Sequence, residues 1–329
     1  MAGLTRRAGI DLNPHRSERH LNVEEQGSSL YERWTRHLFL GPHGIRSPWR
    51  VMVAIALFEV FTFVLGTLLV SSPTIYRWLR SVPSGGLLTP GLLLFGEGLR
   101  TAAALLVGLA MAKFENRTFS DYRVPWNEAL GRRFWQGVPL GLGMLALLMF
   151  SLRLFRAVSF VQQGIDPSTA FRNGALYGIG YVLVAFFEEA TFRGYMQSTI
   201  ETEFGFWPSA VVLSIIFAAV HLQNPGESSF GVVMAGCFGL LAAFSVLRTG
   251  SIWFAVGLHA AWDWGQSFLY GVPNSGVMAQ GHVWNCLLHG PNWLTGGSVG
   301  PEGSLLVLPV LLLLALAIDR LFPARRYDR

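Results

Sequence analysis

Three groups of polar side chains stand inside stretches that are otherwise apolar. The first is Phe186-Phe187-Glu188-Glu189-Ala190-Thr191-Phe192-Arg193-Gly194, the second places His221 four residues after Phe217, and the third pairs His259 with Asp263. An ionisable group in hydrocarbon costs on the order of a few kcal/mol, so each of these needs a partner or a task. Carboxylates and imidazoles together are the side chains that move protons, activate water and bind divalent metals. Glu189 and Arg193 are i, i+4 on a helix and can neutralise each other. Glu188 is turned about 100° away and lacks that intrahelical partner, which leaves it free to act as a general base. His259 and Asp263 share one face, suited to holding a metal or steering an oxyanion.

The elements that must position these groups are membrane helices. Only 14% of the 329 residues are charged and 51% are hydrophobic, against about a quarter charged in soluble domains. The apolar residues gather into eight runs near the length of about 18–20 residues that crosses a bilayer. These lie near residues 51–70, 87–112, 134–152, 176–200, 207–221, 230–247, 252–270 and 305–322. The expectation is an all-α polytopic membrane protein with about eight transmembrane helices in one bundle. Its organisation reads as a polar cytoplasmic tail over 1–48, with a surface helix around Leu30–Leu40, a transmembrane bundle over 49–323 and a short tail over 324–329. The connection up to Gly174 reads as loop, because it carries Gln162, Gln163, Asp166 and Pro167.

Charge supports this layout. Eighteen basic residues fall in residues 1–50, the loop 113–133, Arg248 and the C-terminal end from Arg320, whereas five (Arg77, Arg80, Arg153, Arg156 and Arg172) fall on the opposite side. That asymmetry places both termini in the cytoplasm and requires an even number of spans. It also accounts for the net charge of +5 without a nucleic-acid partner. The Arg-rich start does not read as a cleavable signal peptide, and the end Tyr327-Asp328-Arg329 is no prenylation box. Cys237 and Cys286 are too few for a disulfide framework. At 1.5 Å per residue, Glu189, His221, His259 and Asp263 lie roughly 12–21 Å from the cytoplasmic ends of their helices, which puts them in one layer.

The motifs Glu188-Glu189…Arg193, Phe217…His221 and His259…Asp263, in this order on successive helices, resemble those of the CPBP family of CAAX prenyl endopeptidases and bacteriocin-processing proteins. The resemblance covers about residues 175–270. It implies an eight-helix intramembrane endopeptidase in which Glu188 and His221 activate water and His259 and Asp263 stabilise the oxyanion. The substrate it implies is a peptide or protein in the bilayer, prenylated or not. One departure is that Asp263 stands where the prenyl-protein peptidases have Asn. A carboxylate donates a hydrogen bond only when protonated, so Asp263 suits a metal ligand or a residue that orients His259. His221, His259 and Asp263 would then form a His₂-carboxylate set for Zn²⁺ or another divalent ion, and the balance favours such a metal.

Plainer readings exist for each group. Glu189–Arg193 could pin helix packing, as could His259–Asp263, and Glu97–Arg100 reads as a structural pair. His282 and His289 share a loop with Trp284 and Trp293 that reads as a membrane-interface lid. Gly137/Gly141 and Ala235/Gly239 read as helix-packing positions. The sequence has no HExxH zinc-protease motif, no GxGD and no GxSG. The competing class is a scaffold or ion-coupled transporter using the buried charges, against which stands the lack of a paired inverted repeat.

Overall fold

The structure, a computed structural model, describes residues 38–41, 44–82 and 86–323. The surface helix expected around Leu30–Leu40 falls almost wholly outside them. Residues up to Arg50 and from Val51 onward form two compact units. In the described part of the first, β1 (Leu40–Gly41) pairs antiparallel with β2 (Gly44–Ile45), and the Trp49 indole donates to the Leu38 carbonyl at 2.8 Å.

Helices dominate the rest. They are α1 (Ser47–Val70), α2 (Pro73–Ser81), α3 (Pro90–Glu115), α4 (Arg132–Leu154), α5 (Pro167–Glu189), α6 (Gln197–Phe204), α7 (Phe206–His221), α8 (Ser229–Thr249), α9 (Trp253–Trp264), α10 (Asn292–Thr295) and α11 (Val307–Leu321). Their starts follow local chemistry. Thr89 caps α3 by accepting from the Leu92 N–H, with Pro90 in the first turn. Asp166 caps α5 in the same way, accepting from the Thr169 N–H at 3.0 Å and the Ser168 hydroxyl at 2.7 Å. Those bonds hold its carboxyl well below the usual carboxylate range. The expectation that Asp166 and Pro167 belong to a loop is therefore corrected: they are the N-cap and first residue of α5.

Five helical stretches are long and apolar enough to cross a membrane: Ser47–Val70, Pro90–Glu115, Arg132–Leu154, the rod Pro167–Phe204 and Ser229–Thr249. α7 is a shorter apolar helix, and a count of eight requires it together with α9 and α11. Exposure points the same way. Phe63 is 74% exposed, Phe171 82% and Ile215 63%. Large apolar surface on this scale is stable only against lipid. The chain is an all-α integral membrane protein with little sheet.

α9 differs from the others in being buried at every position from Trp253 to Asp263. A helix apolar on all sides belongs in the interior. It packs against α4 and α5, and glycine makes the approach to α4 possible. A Cβ on Gly257 would lie 2.1 Å from the Phe134 carbonyl oxygen, and one on Gly141 would lie 2.3 Å from that of Leu258. Around this contact a core gathers Leu145, Leu148, Phe254, Leu258, Leu314 and Ile318. α3 packs on α5, α7 on α8 and α8 on α9.

Two further features went unanticipated. β3 (Val158–Gln162) and β4 (Trp284–Leu288) form an antiparallel pair that ties the α4–α5 connection to the long loop after α9. Two π-helical turns, Ala190–Met196 and Gly265–Leu269, follow directly on Glu188/Glu189 and on His259/Asp263. The first makes α5 and α6 one rod of 38 residues, about 57 Å long at 1.5 Å per residue.

Candidate active site

The rod carries Glu188 and Glu189 on different faces, as the helical angle between neighbours requires. Glu189 is fully buried, and its Oε1 accepts from Arg193 Nη1 at 3.3 Å. The Arg193 guanidinium also lies over the Phe217 ring, 4.4 Å from its centroid. The same Glu189 oxygen lies 3.1 Å from His259 Nδ1. Glu189 thus joins α5 to α9, a link that spacing within one helix could not reveal. A carboxylate there accepts the Nδ1 hydrogen and leaves Nε2 directed at the remaining groups.

Those groups are carboxylates. His259 Nε2 lies 3.5 Å from Asp263 Oδ2 and 3.8 Å from Glu188 Oε2. His221 arrives from α7, its Nδ1 2.7 Å from the Phe217 carbonyl oxygen one turn earlier. The Nδ1 hydrogen donates there, so Nε2 is the nitrogen available for proton transfer. All four candidate catalytic residues, Glu188, His221, His259 and Asp263, border two adjoining cavities.

The larger cavity has a volume of about 300 Å³ and an almost wholly apolar lining that includes Phe58, Phe186, Phe187 and Phe192, with Glu188 and His221 in its wall. The smaller, about 80 Å³, is lined by His221, His259, Asp263, Glu227, Asn274 and Glu302 among others. Phe217 and His221 belong to both linings. His221 therefore stands at the junction of an apolar chamber and a polar one.

Three lining residues were not legible as site residues: Glu227, Asn274 and Glu302. They sit on connections without periodicity, and the available signal was positional, since the loop after α9 must start over the end of the helix bearing His259 and Asp263. Glu302 accepts from the Ser275 N–H at 2.5 Å and from the Gln266 side chain. Burial pushes its carboxyl up to about 8. Glu97 and Arg100, expected as a structural pair, are joined at 2.7 Å and also lie within electrostatic reach of Glu188. His282 is buried with its Nδ1 2.7 Å from the Ala279 carbonyl, and His289 meets the Ser159 hydroxyl at 2.9 Å, so both serve the loop. Cys237 and Cys286 are free.

The metal expectation finds no support in the donor geometry. Among the described residues no three His, Cys, Asp or Glu side chains are grouped so as to hold a metal ion. His221, His259 and Asp263 share a cavity wall, with His259 Nε2 3.5 Å from Asp263 Oδ2.

Comparison with known proteins agrees with the resemblance read from the motifs. No curated protein matches the chain. Residues 171–265 match the family model described as Rce1-like, type II CAAX prenyl endopeptidase. The match covers a minority of the chain, but it contains Glu188, His221, His259 and Asp263 together. The segment that carries the four candidate residues is thus similar to the Rce1-like type II CAAX prenyl endopeptidases.

Proposed function

We propose that the protein is an intramembrane endopeptidase whose site is formed by Glu188, His221, His259 and Asp263. The observation that carries this reading is a carboxylate, Glu188, in the wall of an apolar cavity whose junction with a polar one is formed by His221. An apolar chamber of this kind suits a lipid-embedded or lipid-modified segment. The polar chamber admits water to a bond presented at its edge.

In this mechanism Glu188 takes a proton from water while His221 Nε2 holds that water against the scissile carbonyl. The water oxygen bonds to the carbonyl carbon, and the electron pair of the C=O moves onto oxygen. His259, steered by Glu189 and Asp263, donates to that developing oxyanion. As the C–N bond breaks, Glu188 returns its proton to the leaving amine, which gives one carboxylate and one amine product. Asp263 orients His259 in this scheme and does not itself donate. Glu189 and Arg193 hold the helices and the His259 ring in place.

No step of this mechanism needs a metal. A fluorogenic peptide ending in a farnesylated Cys-aliphatic-aliphatic-X sequence is the probe, run beside its unprenylated form in detergent with and without a chelator. Cleavage of the farnesylated peptide is expected to exceed that of the plain one and to survive chelation. If chelation abolishes activity and one divalent ion restores it, His221, His259 and Asp263 become a ligand set and the metal-free scheme fails. If neither peptide is cut, the prenylated-substrate reading is lost.

For orientation we infer that both termini are cytoplasmic, on the strength of the basic asymmetry. Reporter fusions after Gln26 and after residue 329 should both behave as cytoplasmic, and opposite sides would overturn the layout.

A further inference from the structure

The three helical segments that bear the candidate site residues meet at one arginine, which lies outside the matched segment 171–265. Arg123 stands on the connection between α3 and α4 and is only 1% exposed. Its Nη2 pairs with Glu201 of α6, in the lower part of the rod. Its guanidinium lies over the ring of Phe206, the first residue of α7, 5.4 Å from the centroid. Its backbone carbonyl accepts from the Ile252 N–H at 3.1 Å, one residue before α9. Close by, the Trp253 indole donates to the Pro125 carbonyl at 2.9 Å.

A further contact reaches the π-helical turn that follows Glu188 and Glu189. Arg123 Nη1 donates to the Arg193 carbonyl oxygen at 3.3 Å. In an α-helix that carbonyl would accept from the Gln197 N–H. Here the Gln197 N–H bonds instead to the carbonyls of Phe192 and Gly194, and a charged donor, the stronger kind, comes to Arg193 from outside the rod. Arg193 lies roughly 7.5 Å along the rod from Glu188, and its own guanidinium holds Glu189. The backbone of Arg123 has φ 62°, a left-handed conformation that glycine adopts at least cost. The backbone alone would thus favour glycine, so the demand for arginine comes from what the side chain holds.

We propose that Arg123 is a positioning residue of the peptidase site, whose guanidinium fixes the π-helical turn that sets Glu188 and Glu189 against α7 and α9. The role rests on the endopeptidase reading above. Without the guanidinium, the Arg193 carbonyl is free to return to the Gln197 N–H, and the rod changes pitch directly beside both carboxylates. Glu188 then misses the water that His221 holds, and a misplacement of about 1 Å at such a point costs about 10²-fold in rate. Tyr122 and Val124, on either side of Arg123, line the apolar cavity. A residue that merely shaped that wall would therefore act on KM and not on kcat.

The test compares the wild type, Arg123→Met, Arg123→Lys, the double variant Arg123→Met with Glu201→Leu, and Glu188→Gln. Each is assayed on the farnesylated fluorogenic peptide, with thermal midpoints measured alongside. Arg123→Met should lower both kcat and the midpoint, because it leaves Glu201 buried without its counter-ion. The double variant removes both charges, so its midpoint should return towards wild type. Its kcat should stay about 10²-fold low with KM within about twofold, because the Arg193 carbonyl still lacks its outside donor. Arg123→Lys keeps a cation for Glu201 and should show an intermediate kcat at a near wild-type midpoint. If Arg123→Met does not fold, the double variant and Arg123→Lys carry the same readout. A kcat that recovers with the midpoint in the double variant, or a loss confined to KM, overturns the proposal. Equal rates for wild type and Glu188→Gln overturn the peptidase reading instead, whatever the Arg123 variants do.

Discussion

Glu188→Gln should reduce kcat by at least about 10²–10⁴-fold, the range contributed by a positioned general base, while the protein folds as before. Gln matches Glu in shape and removes only the capacity to take a proton. Glu188 has no role in the ion pair that ties the rod together: Arg193 bonds Glu189, and the nearest charged neighbour of Glu188 is His259 at 3.8 Å. Its side chain also lines the apolar cavity, where an amide is accommodated as readily as a carboxyl. The check is kcat at saturating peptide together with the thermal midpoint in detergent. A midpoint within a few degrees of wild type and a collapsed kcat is the expected pair of results. Near-normal turnover would remove Glu188 from the mechanism.

Glu189→Gln should act on the fold as well as on the chemistry. The wild-type side chain is fully buried and serves Arg193 and His259 through one oxygen. Removing its charge leaves Arg193 in the membrane without a counter-ion, and breaking a buried pair from one side costs about 3–5 kcal/mol. A loss of that size is a large fraction of the stability of a domain. The expected outcome is a strongly lowered midpoint or no recoverable protein. The double variant Glu189→Leu with Arg193→Leu removes both charges and should recover much of the stability. It should not recover activity, because His259 Nδ1 has lost its acceptor. Recovery of both in the double variant would reduce the pair to a packing device.

The legible part of this protein was the part governed by repeating geometry. Helix period and bilayer length placed the long helices other than α5 to within a few residues, and the i, i+4 spacing foretold that Arg193 meets Glu189. The same reasoning put Glu188 on a different face. Where local signals competed, the apolar pattern was weighted too heavily: Asp166 and Pro167 form a strong helix start, yet the hydrophobic run begins only later, so the first turns of α5 read as loop. Contacts between distant segments were out of reach. Nothing local to Glu189 indicates His259, seventy residues on, and nothing in Val158–Gln162 indicates a strand partner at Trp284–Leu288. The two π-helical turns carry no compositional mark. The residue types His221, His259 and Asp263 fit a metal as well as an orienting pair.

The most direct test of the central claim is a comparison of protein termini in membrane fractions from cells that hold either the wild type or Glu188→Gln as their sole copy. Mass-spectrometric mapping should find new termini, each from a single peptide bond in a membrane-associated protein, that occur with the wild type and vanish with Glu188→Gln. Identical sets of termini in the two, with both proteins present at equal level, would contradict an endopeptidase built on Glu188.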